Sequence, residues 1–325
     1  MHLLEVKNLR TRFHTDAGVV NAVDGISYFV DEGEIVGLVG ESGCGKSVSQ
    51  LSVLQLIPVP PGEIAGGQAV MEGRDLLHFD PKGPEMREIR GGKISIIFQE
   101  PMTSLNPVLT VSRQLTEMME LHLKLDWKSS RSKAIDLLRM VGIPDAERRL
   151  SNFPHQFSGG MRQRIMIAMA LSCRPKIVIA DEPTTALDVT TQAKVLELMN
   201  DLVRRLQTSL MLVTHNLGVV ARYAARIYVM YAGRIVESGT SKEIFGNPRH
   251  PYTIGLLQSV PRLDETRKDR LVPIPGSLPD LANMPGTCAF LPRCAHAREG
   301  CRREPWGELQ WIEGQHYTSC RVDMG

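Results

Sequence analysis

One glycine-rich segment has the residue types and spacing to bind phosphate. It runs Gly40-Glu-Ser-Gly-Cys-Gly-Lys-Ser47 and fits the pattern GxxxxGK[ST]. Its glycines let successive backbone N–H groups converge on phosphate oxygens at a helix N-terminus. Lys46 is expected to hold the β- and γ-phosphates of a nucleotide, and Ser47 is expected to ligate Mg²⁺. The predicted nucleotide contacts are Gly40, Glu41, Ser42, Gly43, Cys44, Gly45, Lys46, Ser47 and Val48.

A pair of acids supplies the second chemical feature. The apolar run Ile177–Ala180 ends directly in Asp181 and Glu182. Burying unpaired carboxylates is costly, and a nearby cation removes that cost. We therefore predict that Asp181 holds Mg²⁺ and that Glu182 orients and deprotonates an attacking water. A helix N-cap or a solvated strand end is the alternative for this segment alone.

These residues require an α/β core to position them. An apolar run, Glu34–Gly40, leads into the glycine-rich turn, and the apolar spacing of residues 47–57 that follows suits a helix. Three other buried strands are predicted, and a polar residue directly follows each of them: Lys93–Phe98, Ile177–Ala180 and Leu210–Val213. The ends of such strands are where α/β folds place ligands. Between about Pro101 and Leu171 the strand signal disappears, and this part is predicted to be helical.

The final third of the chain contains a predicted hairpin, followed by a change in composition. Residues 227–239 predict a hairpin that turns at Ala232–Gly233. After about Gly246 prolines and glycines multiply and apolar periodicity weakens. We predict an ATPase-type domain over residues 1–245, with a helical subdomain at about 101–171, and a C-terminal extension over residues 246–325.

A third motif completes a recognisable set. Phe157-Ser158-Gly159-Gly160-Met161 and the helix after it resemble the signature of ABC ATPases. The family's ordered set also includes a Gln after a strand, a loop before a helix, and a His after another strand. Those places are held here by Gln99, Ala186-Leu187-Asp188 and His215. The signature departs from the commonest pattern at Phe157 and Met161, but neither change removes a phosphate donor.

The resemblance implies a fold and a set of roles. The fold is α/β: a P-loop core with an antiparallel β subdomain, an inserted helical subdomain and a small cysteine-containing extension. Two ATPs are sandwiched in a head-to-tail dimer, in which Ser158, Gly159 and Gly160 approach the γ-phosphate bound by a partner. The remaining roles are as follows: Gln99 contacts Mg²⁺ or water, His215 bonds the γ-phosphate, Asp188 shapes the dimer contact, and Phe13, with Tyr28 as alternative, stacks on adenine.

Other segments resemble one branch of the family. Residues 99–107, Arg249–Thr253, Ile274–Gly276 and the run CAFLPRC are similar to the ATPase subunits of dipeptide and oligopeptide importers. The likeness runs essentially from end to end. It implies a second ATPase subunit, either a paralogue or a second copy, together with two membrane-spanning permease subunits. An extracytoplasmic solute-binding protein is an indirect partner.

Four of the six cysteines lie close together near the C-terminus. Cys288, Cys294, Cys301 and Cys320 are separated by five, six and eighteen residues. Because the sequence begins without an export signal, a metal site is favoured over disulfides. Zinc sites usually contain closer cysteine pairs, whereas four thiolates also suit a [4Fe–4S] cluster. The resemblance to dipeptide-importer subunits favours the cluster, with zinc or unligated thiols as alternatives.

Composition narrows the function classes. A net charge of +2 gives no indication of nucleic-acid binding, and no stretch reaches the eighteen or so apolar residues that span a bilayer. We therefore predict a peripheral protein on the cytoplasmic face of the inner membrane, attached through its partners. Two alternatives remain: a non-transport ABC ATPase of the DNA-repair or translation type, and a subunit that holds ATP without hydrolysing it. Glu182 argues against the second.

Overall fold

The computed structural model describes residues 2–100, 104–185, 187–259 and 273–324. The chain forms two compact units. The first contains the described residues of 1–31, 35–78 and 212–325, and the second those of 32–34 and 79–211. Within the described ranges, no helix is both long enough and apolar enough to cross a bilayer.

The β-strands are numbered in chain order. They are β1 Leu4–Thr15, β2 Gly18–Val30, β3 Ile35–Val39, β4 Gly62–Met71, β5 Arg74–Asp75, β6 Ile94–Ile97, β7 Ile177–Asp181, β8 Ser209–Thr214, β9 Arg226–Tyr231, β10 Arg234–Thr240, β11 Gln310–Glu313 and β12 His316–Thr318.

The α-helices are numbered in the same way. They are α1 Lys46–Val53, α2 Pro84–Ile89, α3 Val111–Leu123, α4 Trp127–Met140, α5 Ala146–Arg149, α6 Gly159–Leu171, α7 Val189–Leu206, α8 Leu217–Tyr223, α9 Ser241–Gly246, α10 Pro251–Gln258 and α11 Glu299–Arg303.

The first unit contains an antiparallel sheet and a mixed sheet. The antiparallel sheet has the order β2-β1-β4-β5, and in the mixed sheet β11, β12, β10, β9, β3 and β8 lie side by side. Every residue of β3 is buried, and β3 pairs in parallel with β9 from Val36 with Arg226 to Val39 with Val229. A continuous apolar run is typical of such a strand, because both its faces are covered. The predicted strand before the glycine-rich turn is therefore confirmed.

The second unit combines two parallel strands with helices. Strand β6 pairs with β7 from Ile94 with Ile177 to Ile97 with Ala180, which confirms both predicted strands. Side-chain oxygens of Thr110, Asp126 and Ser158 accept backbone N–H groups at the starts of α3, α4 and α6. These caps satisfy donors that a helix start leaves unpaired. The helix predicted over residues 47–57, in the first unit, is shorter and ends at Val53.

The C-terminal extension adds a strand pair to the mixed sheet of the first unit. The predicted hairpin is confirmed: β9 and β10 turn at Ala232 and Gly233, which both have positive φ, at 45° and 82°. Strand β12 pairs with the outer side of β10. Glu237 of β10 is fully buried; its carboxylate accepts the backbone N–H groups of Arg249 and His250 and lies 2.7 Å from Nε2 of His316. This side chain joins three segments.

Glu237→Ala should destabilise the protein by about 3 kcal/mol, because it leaves buried donors from two other segments without an acceptor. The measurement is urea-induced unfolding followed by circular dichroism. Glu308→Ala, at an exposed position of the extension, is the matched control and should change the unfolding free energy by less than about 0.5 kcal/mol. Equal stability of the two variants would contradict the role of Glu237.

Candidate functional site

The glycine-rich loop connects β3 to α1. Gly43 and Gly45 have φ of 83° and 104°, a region that side chains other than glycine rarely adopt. A Cβ atom on Gly45 would lie 2.1 Å from the carbonyl oxygen of Ala22, and one on Gly40 would lie 2.1 Å from that of Met230. The loop therefore requires glycine at both ends for close backbone approach.

Lys46 begins α1 and points back over the loop. Its side chain is largely buried, and Nζ donates to the carbonyl oxygens of Gly40 at 2.8 Å and Glu41 at 3.0 Å. Ser47 follows on the first helical turn and is half-buried. The lysine ammonium and the backbone N–H groups at the start of α1 together give the loop a positive charge, which attracts phosphate.

Cys44 contributes to the loop through its backbone. Its thiol is fully buried, and burial raises the pKa of the thiol. Its carbonyl oxygen accepts the N–H group of Gly233, from the turn between β9 and β10. The side chain is thus a small packed group that is not accessible to a nucleotide. A contact of Cys44 with the nucleotide, if the prediction holds, would be made by its backbone N–H group.

Two contacts to Glu41 come from residues that sequence reasoning did not assign to the site. The guanidinium of Arg293 forms an ion pair with the Glu41 carboxylate at 2.7 Å. The hydroxyl oxygen of Tyr252 accepts the Glu41 N–H group at 2.8 Å. Both residues lie in quoted segments, Arg249–Thr253 and CAFLPRC, but more than 200 positions from Glu41. No local pattern indicates such a pairing.

The acidic pair and Gln99 meet in the second unit. Asp181 is the last residue of β7, and Glu182 follows it; both are largely buried. The Glu182 carboxylate accepts the Gln99 amide at 3.1 Å and the Thr185 hydroxyl at 2.9 Å. Glu182 also has a φ of 44°, a strained conformation for a residue with a side chain. The structure thus brings Gln99 and Glu182 together, while their predicted roles toward Mg²⁺ and water stay predictions.

The signature motif lies at the start of α6 in the same unit. Ser158 is the N-cap, and its side chain accepts the N–H group of Met161 at 3.4 Å. Ser158 and Gly159 are exposed, whereas Phe157 is buried. The motif therefore presents a capped helix start with its small residues outward, an arrangement that favours an anion.

Asp188 caps the next helix, α7. Its carboxylate accepts the Thr191 N–H group at 3.0 Å, and the hydrogen bonds from Thr191 lower its pKa. The side chain is exposed. Ala186, from the same predicted loop, lies outside the described residues.

The structure separates the two aromatic candidates for adenine stacking. Phe13 lies on β1 and is half-buried. Tyr28 is only 3% exposed, and its hydroxyl donates to Gln50. Because stacking needs an accessible ring face, Tyr28 is excluded and Phe13 stays a prediction. In the same unit, His215 is exposed directly after β8.

The four C-terminal cysteines line one cavity in the first unit, together with Phe290 and other residues. Burial raises the pKa of Cys288, Cys294 and Cys320, for Cys320 to about 11. Within the described ranges, however, no three His, Cys, Asp or Glu side chains are arranged to hold one metal ion. A zinc ion with bonds of about 2.3 Å would need its sulfurs within about 3.8 Å of one another. The zinc alternative is therefore not supported.

Two family comparisons match different parts of the chain. Residues 23–185 match the family described as ABC transporter. Residues 236–301 match the C-terminal region of oligopeptide/dipeptide transporters. The phosphate loop, the acidic pair and the signature lie inside the first range, and Arg293 lies inside the second.

Individual relatives extend the likeness. The oligopeptide transport ATP-binding protein OppD of Bacillus subtilis is 52% identical over 91% of this chain and 82% of its own. The dipeptide transport ATP-binding protein DppD of the same organism is 51% identical over 93% and 89%. A solved dimeric ATP-binding cassette in a post-hydrolysis state, bound to ADP and Pi, has a TM-score of 0.65 and 26% identity over 73% of this chain and 98% of that one. The predicted fold class is confirmed. None of these descriptions includes an iron–sulfur cluster.

Lys46→Ala should raise the dissociation constant for ATP by about tenfold or more, because a charged hydrogen-bond donor to phosphate is worth roughly 1.5–3 kcal/mol. Equilibrium titration with a fluorescent ATP analogue measures this change. Lys133→Ala, on the exposed face of α4, is the control and should bind as the wild type does. Unchanged affinity in Lys46→Ala would contradict the assignment of the loop.

Proposed function

The chain belongs to the ABC transporter family, in its oligopeptide and dipeptide group, and we propose that it hydrolyses ATP to power the import of peptides. The geometry of the phosphate loop carries the proposal. A largely buried lysine, two left-handed glycines and the start of α1 together create a compact positive site for the phosphates of ATP.

Hydrolysis needs a base, and Glu182 is our candidate. In this proposal its carboxylate takes a proton from water as the water oxygen bonds to the γ-phosphorus and the bond to the β–γ bridging oxygen breaks. Gln99 and Thr185 hold one carboxylate oxygen, which orients the other. His215 is proposed to hydrogen-bond the γ-phosphate. Ser47 and Asp181 are proposed to hold Mg²⁺, which supplies charge neutralisation on the phosphates.

The signature supports action as a dimer. Ser158 and Gly159 are exposed at the start of α6, where the Ser158 side chain caps the helix. We propose that they bind the γ-phosphate held by a second ATPase subunit, with Asp188 at the contact and Phe13 against adenine. The similar post-hydrolysis cassette is dimeric. We propose that the chain is attached to the cytoplasmic face of the membrane through permease subunits, which is consistent with relatives named as oligopeptide and dipeptide transport ATP-binding proteins.

Glu182→Gln tests the catalytic role. The variant keeps the size of the side chain and should bind ATP normally, but its turnover should fall by about a hundredfold or more because the base is lost. The measurement is phosphate release by the transporter complex, together with ATP binding. Glu147→Gln, at an exposed position of α5, should match the wild type. Turnover within threefold of wild type in Glu182→Gln would refute the assignment.

A cysteine-bound cluster is a further part of the proposal. Four thiols around one cavity supply the ligand set of a [4Fe–4S] cluster, which spaces its ligands more widely than a single ion does. An iron–sulfur cluster binds cysteines as thiolates. The positive charge of its iron ions would favour the thiolate form and so counteract the burial that raises the pKa of Cys288, Cys294 and Cys320. Its role would be to stabilise an extension with little regular structure.

Anaerobic purification tests the cluster. The chain should contain about four iron and four sulfide ions with brown visible absorption. Cys288→Ala should lose most of the iron, whereas Cys173→Ala, at a buried cysteine outside the cavity, should keep it. Folded and active wild-type protein without iron and sulfide would rule the cluster out and leave the ATPase proposal standing.

A further inference from the structure

Arg293 ties the C-terminal extension directly to the phosphate loop. Its Nη1 donates to Oε2 of Glu41 at 2.7 Å, and its Nη2 donates to Oε1 at 2.9 Å. Two parallel bonds between a guanidinium and a carboxylate fix direction as well as distance. Glu41 is the second residue of the loop, directly after Gly40. The orientation of the loop's first turn is thereby coupled to a residue 252 positions away.

The arginine itself is firmly held. Its side chain is 4% exposed, compared with 30% for Glu41. Nε donates to the carbonyl oxygen of Pro275 at 2.8 Å, and Nη1 lies 3.4 Å from the hydroxyl of Tyr231. The guanidinium also lies near the ring of Phe290, 5.9 Å from its centroid. A buried charge needs its partner to offset desolvation, so the ion pair with Glu41 is strongly favoured over separation.

A second bond from the extension reinforces the first. Tyr252 is fully buried, and its hydroxyl oxygen accepts the N–H group of Glu41 at 2.8 Å. The carbonyl oxygen of Glu41 accepts Nζ of Lys46 at 3.0 Å. The side chain, N–H and carbonyl of Glu41 are thus all engaged, and the carbonyl reaches the lysine that binds phosphate. Rotation of the Glu41 backbone would displace one of the two carbonyl oxygens that accept from Nζ of Lys46, the other being that of Gly40.

The segment that contains Arg293 also lines the cysteine cavity. Arg293 precedes Cys294, and Phe290 lies two positions after Cys288; both cysteines and Phe290 line the cavity. Phe290 also packs against Tyr231 and Tyr252, with ring centroids 5.3 Å and 5.6 Å away. The segment that carries the cysteines therefore also carries the support of the phosphate loop.

We infer that Arg293 is a positioning residue for ATP binding, and that the C-terminal extension supports the nucleotide site through the Arg293–Glu41 pair. The inference rests on the proposed hydrolysis of ATP by this chain. It requires nothing of the contents of the cysteine cavity.

The test compares Arg293→Gln, Arg293→Lys, Glu41→Gln and the double variant Glu41→Gln/Arg293→Gln. ATP affinity is titrated on the full-length chain, and KM and kcat are measured on the transporter complex. Arg293→Gln should raise the Kd and KM for ATP by about tenfold while kcat changes less than threefold, because loop geometry and not the base is disturbed. Arg293→Lys should lose less, since it keeps the charge but not the two-pronged geometry.

The double variant distinguishes coupling between Glu41 and Arg293 from independent effects of the two substitutions on ATP binding. If the two residues act through each other, the double variant should be no weaker in ATP binding than the weaker single variant. Arg303→Gln is the matched control: this exposed arginine of the same extension pairs with Glu299 and should behave as the wild type does. Circular dichroism confirms that each variant is folded.

Two results would overturn the inference. One is wild-type affinity and KM in folded Arg293→Gln; the other is strictly additive losses in the double variant. If Arg293→Gln does not fold, Glu41→Gln decides alone, because it leaves the packing of the extension intact: an unchanged KM there rejects the pair. A wild-type chain that binds no ATP would instead refute the proposed function.

Discussion

The phosphate loop works only if its backbone is held while its N–H groups stay open to an anion, and most of the first unit serves that constraint. Gly40 lies against the carbonyl oxygen of Met230 on β9, and Gly45 lies against that of Ala22 on β2. One strand from each sheet of the first unit therefore packs against the loop. Close approach without a Cβ atom removes the freedom that a glycine-rich segment would otherwise have. Neighbouring segments thus restrain the loop, together with the hydrogen bonds that Lys46 makes to the carbonyl oxygens of Gly40 and Glu41.

The second unit meets a different requirement of the proposed mechanism, which is to hold the carboxylate of Glu182 in place at a buried strand end. Glu182 is largely buried and strained in φ, and both features cost free energy. Hydrogen bonds from Gln99 and Thr185 offset part of this cost and leave the side chain with one orientation. A base that is held in place need not be ordered during the reaction, which is the usual advantage of a preorganised site.

Among the described residues of the C-terminal extension, polar contacts join its segments to the rest of the first unit. Strand β12 extends the mixed sheet, the Glu237 carboxylate contacts Arg249 and His250 in one segment and His316 in another, and Arg293 reaches the phosphate loop. These contacts are polar, buried and directional, so they fix position more than they add apolar stability. A segment attached in this way can influence the nucleotide site without contributing a group to the reaction.

Local patterns in the sequence were enough to predict the phosphate-binding loop and several of the buried strands. The glycine-rich loop, the acidic pair and the apolar runs of β3, β6, β7 and β8 were readable because each is a local pattern whose period or spacing has one physical meaning. The long strands β1 and β2 and the pair β11–β12 were not assigned, since half-buried strands in polar surroundings give weak alternation. Contacts between residues far apart in the chain could be found only in the folded protein. Glu41 with Arg293 and Glu237 with His316 are pairs separated by 252 and 79 positions, and nothing near either member in the chain specifies its partner. Such pairs form because folding brings the segments together and a polar group that becomes buried then requires a polar partner, a condition that exists only in the packed protein.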